Sequence, residues 1–165
     1  MRRLSLLILL LLLPGVCWSK NLTQEIITGI YAVASADYGK AHPDAYIPPD
    51  PPYVFELDDL NQVAGLDIGN GTILGLTDAY GLRIMLNKEL DMTQAWGQGT
   101  LYHELIHYLQ IHDKGSTDQC EESKARETEA YTMEGQWFRR HGEELLFYKT
   151  MRSLQWWLLN MVCST

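Results

Sequence analysis

The feature that most constrains this chain is Leu101-Tyr102-His103-Glu104-Leu105-Ile106-His107-Tyr108-Leu109-Gln110, where His-Glu-x-x-His sits inside an apolar, helix-forming run. On a helix, positions four apart lie one above the other on the same face. His103 and His107 therefore aim two imidazoles at one point, a geometry that a tetrahedral zinc ion accepts. Glu104 follows the first histidine directly, where its carboxylate reaches a water beside the metal rather than the metal. Leu101, Leu105 and Leu109, with Tyr108 beside them, make the opposite face apolar. One face packs and the other carries chemistry. Two histidines and a glutamate also occur on ordinary solvated helices, but those lack so periodic an apolar background.

The chain begins Met1-Arg2-Arg3, followed by an apolar run from Leu4 to Leu13, then Pro14, Gly15 and Val16-Cys17-Trp18-Ser19. A charged start, an apolar run and a small-residue zone make a secretory signal. The run is about half as long as a membrane span requires. Residues 1–19 are thus expected to be a leader, cleaved near Ser19-Lys20 or two residues earlier, and 20–165 a single exported domain, periplasmic or extracellular. A lipoprotein anchor at Cys17 is the rival, although Pro14-Gly15-Val16 fits a lipobox poorly. Loss of Arg2 and Arg3 takes the formal charge from −8 to −10. So acidic a chain argues against nucleic acid and anionic membrane surfaces as partners. Two cysteines remain, Cys120 and Cys163. Export and an even count favour a bridge between them. Closing that loop of about 44 residues contributes about 3 to 4 kcal/mol when unstrained.

Asn21 or Thr23 can cap a first helix through about Asp37, with Leu22, Ile26, Ile30 and Ala34 as its stripe and Ile27 and Tyr31 alongside. Residues 43–52 hold five of the six prolines and form an extended arm, read as a spacer before a clamp or a partner strip. Tyr53–Leu57, Thr72–Leu76 and Leu82–Leu86 read as short strands, the last half-buried, with Thr77-Asp78-Ala79-Tyr80-Gly81 as a hairpin connection. Asp58 to Gly65 reads as a short helix and Asp67 to Gly71 as a turn. Asp91 or Thr93 starts the histidine helix, which runs to about Ile111. Glu121 to Arg140 forms the next helix, buried through Ala130, Met133 and Trp137 and ended by Gly142. Glu143 to Val162 forms the last. The expected fold class is α+β, mostly helical, with a small antiparallel sheet preceding the histidine helix.

A catalytic zinc site needs a third protein ligand and an open position. A glycine at 110 and a histidine at 113 would supply one from the same segment, but the chain has Gln110 and Asp113, and His112 points elsewhere. The downstream helix carries Glu127-Thr128-Glu129-Ala130-Tyr131. The two motifs together resemble the gluzincins, the thermolysin-like metallopeptidases, in which His-Glu-x-x-His is followed by Glu-x-x-Ala or Glu-x-x-Ser on a second helix. The resemblance spans roughly residues 80 to 138 and implies a minimal zincin-like domain. It implies Glu127 as third ligand and Ala130 as the small residue that lets the two helices close up. Helical geometry puts Glu127 on the face of Ala130 and Tyr131, with Glu129 rotated by about 200°. Glu129 is the competitor and Asp118 a remote alternative. Many gluzincins place Asp where this chain has Tyr131, so the group orienting a ligand histidine must come from elsewhere, such as Glu134 or a backbone carbonyl.

The resemblance further implies an exported zinc peptidase acting on peptide or protein substrates, with Glu104 as general base and Leu82–Leu86 as the edge strand that holds the peptide. Tyr80, Tyr108 and Tyr131 are the candidate oxyanion donors. The alternative is a peptidase-like module that binds zinc or a partner without turnover; a regulated form in which the proline arm covers the cleft is a third reading.

Overall fold

The computed structural model of the chain describes residues 22–58, 60, 73–78 and 83–143. The last helix expected from the sequence, the turn at 67–71, Tyr80 and the leader lie outside them, as does nearly all of the helix expected from Asp58. Helix α1 (Gln24–Ala41) begins at Thr23, whose Oγ1 accepts from the Ile26 amide. That satisfies one of the amides a helix start leaves unpaired. Its buried residues are Ile27, Ile30, Tyr31, Ala34 and Tyr38. Ile27, Ile30, Tyr31 and Ala34 are buried as expected, Leu22 and Ile26 are only partly so, and Tyr38 extends the stripe.

Three strands follow: β1 (Tyr53–Leu57), β2 (Gly75–Thr77) and β3 (Arg83–Asn87), in the order β1-β3-β2. β2 pairs antiparallel with β3, as a short connection requires, but β1 pairs with β3 in parallel, Val54 opposite Ile84 and Leu57 opposite Asn87. The sheet is therefore mixed, not antiparallel. Alternation of apolar residues marks a strand without specifying its neighbour's direction. β3 is also the central strand, and it is buried from Ile84 to Asn87 rather than on one face alone. A strand paired on both sides has no free edge, so β3 cannot receive a peptide as an added strand.

Helix α2 (Ala95–Lys114) carries the two histidines and α3 (Cys120–Arg140) the candidate carboxylates. Asp91 does not cap α2 directly. Its Oδ1 accepts from the amide and hydroxyl of Thr93, making a turn that feeds the helix. Gly115, at φ 76°, ends α2 through its amide on the Ile111 carbonyl, and Gly142, at φ 72°, follows α3. Only glycine adopts that backbone without strain.

α2 lies at the centre, packed on α1, α3 and β2, and Leu101, Leu105, Ile106 and Leu109 are fully buried. Each such side chain contributes about 1.5–3 kcal/mol of transfer energy. The α2–α3 approach is close: Ala130 is fully buried, and a Cβ on Gly99 would fall 2.5 Å from Phe138 Cζ. Tyr102, Asp37 and Arg140 join the three helices. The Tyr102 hydroxyl donates to Asp37 Oδ2 at 2.8 Å, and Arg140 donates to both carboxylate oxygens. The proline segment is pinned to the core, Tyr31 donating to the Pro48 carbonyl and Tyr108 to that of Asp50.

Candidate metal centre

Helical spacing sets His103 over His107 on α2, and their Nε2 atoms face each other at 3.0 Å. Glu127 reaches both from α3, with Oε2 3.4 Å from His103 Nε2 and Oε1 3.2 Å from His107 Nε2. Each of the three offers one ligand atom within 4.8 Å of the others, a group that can hold a metal ion.

Both Nδ1 atoms are engaged on their far sides. His103 Nδ1 lies 3.2 Å from Glu134 Oε2, a buried carboxylate one turn beyond Tyr131. His107 Nδ1 lies 2.9 Å from Gln110 Oε1. The Gln110 amide donates to the Arg126 carbonyl and to Glu129 Oε2, each at 3.0 Å, so its oxygen is the end that faces His107. In their neutral forms both imidazoles are thereby set with N–H at Nδ1 and the lone pair at Nε2, the tautomer a metal ligand needs. Gln110 carries no motif signal; its complete burial becomes visible only with the helices packed.

Glu129, the competing third ligand, is held elsewhere. Its Oε1 lies 2.5 Å from His42 Nε2 and its Oε2 receives Gln110. Two residues along a helix turn a side chain to the far face. Asp118 is exposed and outside the group.

Glu104 is buried beside the group. The Thr77 hydroxyl of β2 lies 2.7 Å from its Oε2. A Cβ on Gly75 would sit 2.8 Å from Oε1 and 2.7 Å from Cγ, so only glycine lets β2 pass this close. The edge strand over the site is therefore β2, with β3 behind it. Strand pairing, invisible to periodicity, decides that order. A cleft of about 270 Å³ opens here, lined by Gly75, Thr77, Glu104, His107, Arg126 and Glu127 among others. No residue of the proline segment lines it.

Of the tyrosines, Tyr108 is turned away: its hydroxyl bonds Asp50 and its ring meets Tyr31 and His112. One position past His107, it points about 100° round the helix from the metal face. Tyr131 packs its ring on His103 at 4.3 Å. Tyr80 lies outside the described residues. Cys120 is disulfide-bonded, and Cys163, its expected partner, lies outside the described residues. Among the described residues no helix is long and apolar enough to cross a membrane.

The electrostatics follow from burial and proximity. Burial opposes charge on His103, but Glu127 and Glu134 outweigh it and raise its pKa well above the usual imidazole value. His107 is raised in the same way, burial again opposing and Glu127 prevailing. Burial alone would lift Glu127, yet the two imidazoles hold it far below the carboxylate range. Burial lifts Glu104, against the lowering influence of His103 and His107. Glu127 thus favours positive charge at the two ring nitrogens, whether a proton or a metal ion carries it. No family model, curated protein or solved structure matches the chain.

Proposed function

We propose that this chain is an exported zinc-dependent peptidase of minimal zincin type, with His103, His107 and Glu127 as metal ligands and Glu104 as general base. One observation carries the reading: two Nε2 lone pairs and a carboxylate converge on a point that opens to a cleft, with a second carboxylate beside it. Tetrahedral zinc with bonds of about 2.0–2.1 Å spaces its ligand atoms about 3.3 Å apart. The two nitrogens lie 3.0 Å apart, near that spacing, and each has a different oxygen of Glu127 at 3.2 or 3.4 Å, so the carboxylate is within reach of an ion held by both. Donors of two nitrogens and one carboxylate leave the fourth position to solvent or substrate.

Zinc bound there supplies Lewis acidity, bringing a water's pKa towards about 7 and polarising a carbonyl. The chain's own residues do the rest. Thr77 holds one oxygen of Glu104, and the missing side chain at Gly75 keeps Oε1 clear to take a proton. Glu104 then delivers that proton to the departing amine. Glu134 and Gln110 hold the imidazoles in register. Of the two candidate oxyanion donors among the described residues, Tyr131 is the one whose ring packs on a ligand histidine. Export is supported by the leader-like residues 1–19 and by the bonded state of Cys120.

A peptide-library digest by the full-length protein, with zinc and with chelator, tests the reading. Cleavage that stops on chelation and returns with zinc supports it. Stoichiometric zinc without cleavage turns the reading to the non-catalytic binding module.

A further inference from the structure

His42 and Glu129 have no part in the chemistry above, yet they end a continuous line of hydrogen bonds that starts on a metal-facing histidine. The line runs from His107 Nδ1 to Gln110 Oε1 at 2.9 Å, from Gln110 Nε2 to Glu129 Oε2 at 3.0 Å, and from Glu129 Oε1 to His42 Nε2 at 2.5 Å. It joins α2, α3 and the C-terminal cap of α1.

Its far end is anchored. The His42 amide donates to the Tyr38 carbonyl, its ring packs on Tyr38 at 4.4 Å, and the Tyr38 hydroxyl donates to Asp113. Tyr38 is fully buried. The middle is directional. A side-chain amide has two near-equal orientations, and the Glu129 carboxylate admits only the one with Nε2 towards it. Glu129 is itself half-solvated, and is steadied by His42 on one oxygen and by Lys114 Nζ 3.8 Å from the other.

We propose that His42 and Glu129 are positioning residues that set the orientation and basicity of His107 through Gln110, tying metal affinity to the end of α1. The carboxylate polarises the amide, which strengthens its acceptance from His107 Nδ1–H and the donor power of Nε2. The inference rests on the reading of His107 as a metal ligand and is independent of any peptidase activity.

The test measures the zinc dissociation constant of the full-length protein by chelator competition, together with the visible spectrum of its cobalt form. Gln110→Ala should weaken zinc about 10- to 100-fold, the usual effect of losing a ligand's partner. Glu129→Ala and His42→Ala should each cost up to about tenfold and shift the cobalt bands. The double variant should bind no worse than Glu129→Ala alone, because both break one line. His42→Gln, which retains a donor, should recover affinity. Glu129→Gln keeps the side chain's shape should the alanine variants misfold, and it should still weaken zinc. Wild-type affinity and an unchanged cobalt spectrum in His42→Ala and Glu129→Gln overturn the proposal, as do losses that multiply in the double variant. A wild-type chain that takes up neither ion overturns the metal reading and the proposal with it.

Discussion

His103 and His107 turn their Nε2 atoms towards each other at 3.0 Å while Glu134 and Gln110 occupy their Nδ1 atoms. Two ring nitrogens so close call for a proton or a metal ion between them. A carboxylate within 3.4 Å of both completes that demand. Metal uptake should therefore stabilise the fold: at a free concentration 100 times the dissociation constant, by about 2.7 kcal/mol. Chelation should lower the thermal midpoint of the wild type and leave that of Glu127→Ala unmoved. Equal chelator responses in the two proteins would remove Glu127 from the ligand set.

Glu104→Gln keeps the size and the Thr77 contact but removes the base. Turnover should fall by about 10²- to 10⁴-fold, the range for a positioned proton acceptor. Zinc content should stay at the wild-type level by elemental analysis. Full peptidase activity in this variant would exclude Glu104 as base.

Gly75→Ala places a methyl 2.8 Å from Glu104 Oε1, against a side chain that is itself buried and tethered. Either β2 or the carboxylate must move. A displacement of about 1 Å at a reacting group costs up to about 10²-fold. The expected result is a lower kcat with zinc affinity retained, read from steady-state kinetics beside a metal titration.

Gly99→Ala tests the α2–α3 approach. Its Cβ would fall 2.5 Å from Phe138 Cζ on a buried ring that has little room to yield. Overpacking of this kind costs about 1–3 kcal/mol. Urea unfolding at constant m-value should report the loss.

Asp37 gives the acid limb of stability. Burial pushes its carboxyl up, but hydrogen bonds from Arg140 and Tyr102 outweigh that and hold it below the ordinary value. A depressed folded pKa contributes stability that is complete above the unfolded value, near about 3.9, and is lost as pH falls through the folded one. The stability gap between wild type and Asp37→Asn should be level from neutral pH down to about pH 5 and narrow below about pH 4. Denaturant midpoints across that range measure it.

The metal face of α2 was legible because a 3.6-residue period carries its own geometry: His103, Glu104 and His107 need no distant partner to share a side. The same holds for the Thr23 cap, the glycine after α3, and the apolar faces around Leu105 and Ala130. The role of Gln110 was not legible, because a glutamine on a helix has no marker until its neighbours exclude water from it. The sheet is mixed rather than antiparallel for a related cause: periodicity reports which residues face inward, while the parallel β1–β3 pairing depends on the path of the chain between them.

Local order along the chain thus determined a two-histidine helix, a carboxylate-bearing helix after it and a few short strands. Packing decided that Glu127 meets the histidines while Glu129 meets His42, that β2 rather than β3 lies over Glu104, and that Glu134 and Gln110 hold the imidazoles. The division is physical. Backbone spacing within a helix is set by bonds and dihedrals shared by every sequence, whereas contacts across elements depend on how α1, α2, α3 and the sheet exclude water together.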